Sequence, residues 1–577
     1  MLVNQPVEKA GMIQEKKIPL ILFLFLFIGL LFVGNRINND VWFLLNHGHY
    51  VDLYGFPHTE PFTIHEGLHF IMQQWLFAWI LWKVYAFAGI FGLQAFAWIG
   101  GAVLIYLDYR LMLSVSRNRQ MAFLLAQLIG LFCGILFICQ RPQLFSSIIF
   151  LLEILVLENI PWGKKYCFVI LSVLSALLIN IHAAMWPMLF VFLLPYLAEW
   201  IGQQGRLARF TARFPEPAAW KGHELLILAL GMFAFAFLNP YGTEAMTYTA
   251  HSYGYKEINA IVGEMTPLAL RGFSSILLLL FIGLFMFYAR HRAPLRYFLF
   301  AFGTGILALS SVRSLFLFLL FGTLPLAYML QHKHLAYKQH YTFQRLVFLL
   351  SIGLISMVVY YIHYRSDILS FIQEQKIFLV VLLSLFVLLV FLIGRFFLGA
   401  KMHQCFLHRK ELLPLEIERD GVLSAILMLL LVVIPLTISC YTSSTIRQPL
   451  QRASEVLYEE ALPDAVYLYT GYDEGGYLEF KGFSCYIDPR AEVFVPKVNH
   501  KKNIFSEYYT LQAGKIDYRD FLSRYDFNYL LVDENDILYY NLANDEHYEC
   551  IWDASEDPSI SAHDIAEKNY RIFRKVD

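Results

Sequence analysis

Apolar runs of roughly bilayer-spanning length recur along most of this chain, and that recurrence leaves little room for any fold but a bundle of membrane helices. Thirteen candidate runs lie near residues 18–34, 91–113, 121–139, 143–160, 167–186, 187–202, 223–239, 274–289, 296–312, 314–331, 346–363, 376–398 and 421–440. Composition points the same way: of 577 residues, 58% are hydrophobic and only 16% charged, which excludes a water-soluble protein with ordinary cores. Lys plus Arg (45) nearly balance Asp plus Glu (46), so overall charge gives no sign of a nucleic-acid partner.

Basic residues set the expected topology, because cytoplasmic loops carry the Lys/Arg excess. With thirteen spans and the N-terminus inside, Arg117, Lys164, Lys165, Arg206, Arg209, Arg290, Arg292 and Lys401 fall inside, and the outside loops keep far fewer. The first run follows Lys16 and Lys17 without a small-residue cleavage site and reads as a retained span. The expected organisation is a cytoplasmic N-terminus (1–17), a membrane domain (18–440) with a large first outer loop (35–90), and an extracytoplasmic domain (441–577). Segment 68–89 is apolar but interrupted by Gln73, Gln74 and Lys83, with Trp75, Trp79 and Trp82 on one face, which predicts a helix along the outer surface. The alternative, a true span there, inverts every later loop.

Beyond residue 441 the pattern changes. "AVYLY" (465–469), "FSCYIDPR" (483–490) and "FNYLLVDE" (527–534) predict short strands, and "YRDFLSRY" (518–525) a helix, giving a small α/β domain. "GYDEGGYLEF" (471–480) reads as a glycine-containing turn without a nucleotide-binding spacing. The seven cysteines lack metal-ligand spacing, and Cys485 and Cys550 are a candidate pair if the tail lies outside the membrane.

Conspicuous polar residues gather at the predicted outer ends of the spans: Asp40, Glu60, Arg141, Asn180, His182, Asn239, Glu264 and Arg313. Charge at that depth is costly and points to function, and its clustering on one side favours chemistry at that interface. Each residue also has a plain structural role open to it. Asp40 can cap a helix, Arg141 and Arg313 can reach to lipid phosphates, and His182 can be an interior hydrogen-bonded histidine. His47, His49 and His58 show no metal-ligand spacing.

In the order "NDVWFLLNHG", "GFPHTEPFT", "QQWL", "RPQLF", "NIH", "NPYG", "GGYL" and "IDPR", the chain resembles polytopic bacterial proteins of the GT-C glycosyltransferase superfamily that use polyprenyl-phosphate-linked sugars. The resemblance implies a multi-pass protein of the cell membrane and envelope, with a catalytic acidic residue in the first outer loop, best matched by Asp40. Leu44 stands where a histidine is common, Glu60 where an aspartate is common, and Gln74 where a glutamate is frequent.

The mechanism expected from this resemblance uses Asp40 as general base, Arg141 and Arg313 on the leaving phosphate with His182 assisting, and Glu60 to orient the acceptor or hold a divalent ion. The partners are a polyprenyl-phosphate-linked sugar and an extracytoplasmic glycan or lipid acceptor; no cofactor is required. Two other classes stay open: a lipid or glycan transporter or flippase, which needs polar groups at mid-membrane depth, and a non-catalytic glycan-binding relative.

Overall fold

The computed structural model describes residues 37–330 and 448–576, apart from 119–120, 123–124, 127–128, 131–132, 134–136, 161–162, 253–257, 259–261, 263–264, 268–281 and 290. The described residues fall in one compact unit, Gly34–His332 together with Ser444–Asp577. Among them, five helices are long and apolar enough to cross a bilayer: Trp75–Ser116, Pro142–Asn159, Lys164–Ile181, Ala183–Gly202 and Val312–Met329. The runs at 223–239 and 296–312 are shorter helices of 14 and 16 residues. The expected thirteen spans are therefore not supported: 18–34, 346–363, 376–398 and 421–440 lie outside the described residues, as does Glu264, while 121–139 and 274–289 are described only in part.

Helix α1 (Val41–Tyr54) lies in the predicted outer loop and crosses α2 (Trp75–Ser116). The crossing is tight because a Cβ on Gly48 would stand 2.1 Å from the Ala78 carbonyl oxygen, so only glycine fits there. Helix α2 is two helices joined at Gly89, whose φ of 58° breaks the helical path between the predicted surface segment and the run that follows it. The tryptophans of the first segment turn toward protein: Trp75 donates to Asn180 Oδ1 (2.8 Å), Trp79 donates to Asp52 (3.2 Å) and Trp82 packs on His49.

Among the helices that follow are α3 (Pro142–Asn159), α4 (Lys164–Ile181), α5 (Met188–Gly202), α6 (Gly222–Phe235), α7 (Thr243–Ser252) and α8 (Leu295–Ser310). Buried Arg296 at the start of α8 pairs with Glu158 of α3 (2.8 Å) and Glu199 of α5 (3.1 Å) and so ties three helix ends together. Arg141 precedes the other end of α3, which puts about 25 Å between the two charge clusters.

The tail folds as an α/β domain around a five-stranded sheet of order β2-β1-β3-β5-β4. Strands β1 (Tyr467–Thr470), β2 (Ser484–Cys485) and β3 (Tyr529–Asp533) are parallel and match the predicted segments; β4 (Tyr548–Asp553) and β5 (Tyr570–Lys575) complete the sheet antiparallel. Cys485 and Cys550 are both free and lie on the two edge strands, roughly 19 Å apart at ordinary strand spacing, so the candidate disulfide does not form. The "GGYL" stretch, expected as a turn, is helix α9 (Gly475–Phe480), which packs on α1.

One apolar core unites the tail with the predicted outer loop: Val41, Leu44 and Leu45 of α1 and Phe77 of α2 pack with Tyr477, Leu478, Phe483 and Tyr570. Leu44 is 0% exposed, so position 44 of this chain is a packing position. The extended segment after α1 joins the same assembly, since Ile64 donates to the Cys485 carbonyl (3.0 Å) and the His65 ring Nε2 lies 2.8 Å from the Tyr486 carbonyl. Burial lowers the His65 pKa to about 4, against the opposing pull of that carbonyl. A histidine depressed in the folded state stays neutral while its unfolded counterpart, near 6.5, takes up a proton, so stability falls as pH drops from about 6.5 toward 4. Between pH 7 and pH 5 the expected loss is about 2 kcal/mol from this group, and thermal unfolding of wild type against His65→Gln at the two pH values checks it.

Candidate functional site

Asn38, Asn39 and Asp40 form the turn that starts α1, and α1 sits where the tail packs on it. Asp40 occupies the N-cap position, but its side chain makes no capping bond. The carboxylate instead meets Arg141 Nε at 2.8 Å, and the same Nε donates to Asn38 Oδ1 at 3.0 Å. Arg141 holds its place because the extended residue before Pro142 is the N-cap of α3. Both side chains of the pair are partly exposed, and Arg141 is engaged with protein rather than extended toward lipid.

One turn into α3, the Ser146 hydroxyl lies 3.0 Å from the Pro142 carbonyl oxygen and 2.9 Å from His182 Nδ1, to which it is hydrogen-bonded. The bond to Ser146 occupies Nδ1, so Nε2 is the ring nitrogen left to meet a ligand. Burial, and after it the charge of Arg313, lowers the His182 pKa to about 3. Arg313 stands in the short turn Val312–Ser314 and forms no hydrogen bond or ion pair among the described residues. Its charge also reaches Glu492 of the tail.

From the tail, Tyr472 donates to the Pro489 carbonyl (2.7 Å), and burial followed by the charges of Glu492 and Asp40 raises its pKa well above the usual range. Asn39 donates to the Asp473 carbonyl (2.7 Å), which fixes this strip of the tail against the start of α1. Asp40–Arg141 and Ser146–His182 are bonded pairs, and the electrostatic reach of Arg313, Glu492 and Tyr472 links them into one circuit of charges. Four of the predicted residues (Asp40, Arg141, His182 and Arg313) belong to it.

Glu60 does not. Its carboxylate accepts from Phe62 N (3.1 Å), Thr63 N (2.9 Å), Thr63 Oγ1 (2.7 Å) and Arg490 Nη2 (2.9 Å), and it makes no contact with the Asp40–Arg141 pair. Arg490, from "IDPR", is buried against Asp488, Glu60 and Phe62, and its Nη1 lies 3.0 Å from His47 Nε2. Because a guanidinium only donates, His47 accepts as a neutral imidazole; burial and then Arg490 hold its pKa well below the usual value. Burial, with Asp488 beside it, raises Glu479 well above the carboxylate range; it stands 3.6 Å from the same guanidinium. Every oxygen of Glu60 is thereby occupied, and among the described residues no group of three or more His, Cys, Asp or Glu could hold a metal ion.

The other motifs interlock around the same region. Gln73 of "QQWL" accepts from Ala183 N (2.9 Å) and, through its side chain, from Ala184 N (3.0 Å), just after "NIH". Asn180 accepts from Trp75 and donates to the Leu238 carbonyl (2.8 Å) beside "NPYG".

Sequence reasoning missed Glu492 and Tyr472, whose surroundings in sequence carry no signal beyond their nearness to "IDPR" and "GGYL". It also missed Asp108 of α2 and Glu153 of α3, both buried within apolar helices with neither carboxyl oxygen bonded among the described residues.

No protein-family model matches the chain, and no curated protein matches it. Among solved structures it is similar to the archaeal oligosaccharyltransferase AglB from Archaeoglobus fulgidus, in complex with an inhibitory peptide and a dolichol-phosphate. The likeness has a TM-score of 0.51 at 11% identity and covers 90% of this chain and 70% of that one. The chain therefore shares the fold of that enzyme over most of its length: apolar helices long enough to cross a membrane, followed by a small sheet-containing domain.

Proposed function

We propose that the protein is a membrane glycosyltransferase of the GT-C type that moves a sugar from a polyprenyl-phosphate donor to an extracytoplasmic glycan or lipid acceptor. The observation that carries this reading is the Asp40–Arg141 ion pair at the start of helix α3, with a second guanidinium, Arg313, close enough to act on His182 of the same region and without an ion pair among the described residues. Similarity to an enzyme whose structure holds a dolichol-phosphate supports a lipid-phosphate ligand. The proposed topology keeps the N-terminus inside and the tail outside.

In the proposed step the donor phosphate binds Arg141 and Arg313 and draws Arg141 from Asp40. Asp40 then takes the proton of the acceptor hydroxyl as its oxygen bonds to the anomeric carbon; the bond from that carbon to the phosphate oxygen breaks, and its electron pair leaves with the phosphate. His182, neutral and bonded to Ser146, holds the start of α3 in place. The test is transfer of labelled sugar from a panel of polyprenyl-phosphate donors by the purified chain, and no transfer from any donor overturns the reading.

A second reading, lipid or glycan transport, draws on Asp108 and Glu153, because unpartnered carboxyls within apolar helices are costly and mark pathways. Under that reading Asp108→Leu with Glu153→Leu abolishes lipid movement in vesicles. Under the transferase reading the same double substitution leaves sugar transfer within about threefold of wild type, since neither residue belongs to the Asp40 circuit.

A further inference from the structure

Charge is sorted across the circuit. The two guanidiniums come from the apolar helices, where a lipid phosphate arrives, whereas Glu492 comes from the tail and accepts from the Tyr248 hydroxyl of α7 at 3.3 Å. Tyr472 donates to the carbonyl of Pro489, three residues before Glu492, and the next residue, Asp473, accepts from Asn39 beside Asp40, so this strip of the tail runs against the start of α1. A carboxylate repels a phosphate but accepts strongly from hydroxyls, and two tyrosines beside it are the surroundings in which a polyhydroxylated group is held by hydrogen bonds and ring contacts. Glu60, the other candidate for this duty, is occupied on both oxygens by Arg490 and the Phe62–Thr63 backbone.

We propose that Glu492, presented by the C-terminal domain between Tyr248 and Tyr472, binds a hydroxyl of the acceptor and thereby positions it over Asp40. This rests on the transferase reading above. The acceptor class is polyhydroxylated, a glycan or a glycolipid headgroup, and the tail is then part of the acceptor site. The charged and titratable groups facing Glu492 are Arg313, Arg490, Asp488, Tyr248 and Tyr472. Burial, more than its own backbone N–H and Arg313 oppose it, raises the Glu492 pKa.

The test uses the full chain in lipid nanodiscs, with a polyprenyl-phosphate donor labelled in its sugar and a cell-envelope glycan and lipid extract as the acceptor probe. Three quantities are read: half-saturating extract, donor KM, and release of sugar to water without extract. For Glu492→Gln the expected result is an at least tenfold rise in half-saturating extract, with donor KM and release to water within twofold of wild type. Glu492→Asp should recover part of the loss, and matching unfolding temperatures exclude misfolding as the cause. An unchanged requirement for extract, or a parallel loss of all three quantities, overturns the role of Glu492 while the transferase reading stands. Absence of both transfer and release in wild type overturns the two together.

Discussion

Exchange of Asp40 for Asn is expected to lower sugar transfer by at least about 100-fold while the protein stays folded, the range in which loss of a positioned proton acceptor falls. The substitution is nearly isosteric and spares helix α1, because the Asp40 side chain contributes no capping bond and the turn is held by Asn38, whose side chain accepts from Asp40 N (3.0 Å) and whose carbonyl accepts from Val41 N (3.0 Å). It leaves Arg141 bonded to Asn38 Oδ1 and removes the charge opposite it. Arg141→Gln separates the roles: the donor KM should rise at least tenfold, because a phosphate loses a charge-assisted bond. Transfer by Asp40→Asn within threefold of wild type, in protein with unchanged unfolding temperature, removes Asp40 from the chemistry.

Why this pair was partly legible in the sequence, and its surroundings were not, follows from distance along the chain. Asp40 and Arg141 each stood out as a charge at the end of an apolar run, yet 103 residues separate Arg141 from Asn38, and no local pattern announces that they meet. The strands β1, β2 and β3 were readable because buried strands leave compact apolar runs, as in "YLLVD" with its first four residues buried. Strands β4 and β5 were hidden because "YECIWD" and "YRIFRK" expose part of each strand and spend charged residues on ion pairs such as Arg571–Asp553. Asp108 and Glu153 escaped for the opposite reason: one carboxyl barely lowers the mean hydropathy of a long apolar run, and its burial depends on neighbouring helices. Glu60 was read from its place in a polar loop, but the group that takes its charge is Arg490, 430 residues away.

That long-range pair yields the largest expected effect on stability. Arg490→Gln should destabilise the chain by about 3–5 kcal/mol, since removing one member of a buried ion pair leaves its partners as uncompensated buried charges. Here the abandoned groups are Glu60 and Asp488, both fully shielded from water, and the His47 ring that accepts from Arg490. Because Arg490 is in the tail and Glu60 and His47 are in the segment around α1, the loss should appear first as detachment of residues 55–70, read by proteolysis. Glu60→Gln costs less: its amide still accepts from the guanidinium, and Asp488 remains. Combined with Arg490→Gln it should add little, because the cost of an unpaired Glu60 is gone, so a double-mutant cycle should return a coupling of about 2 kcal/mol or more. Additivity within about 0.5 kcal/mol shows instead that the apolar core around Val41, Leu44 and Tyr477 holds the tail on α1 unaided. The coupled outcome ties the geometry of Asp40 and Glu492 to one buried arginine, because the backbone that follows Arg490 is the backbone that carries Glu492 to the site.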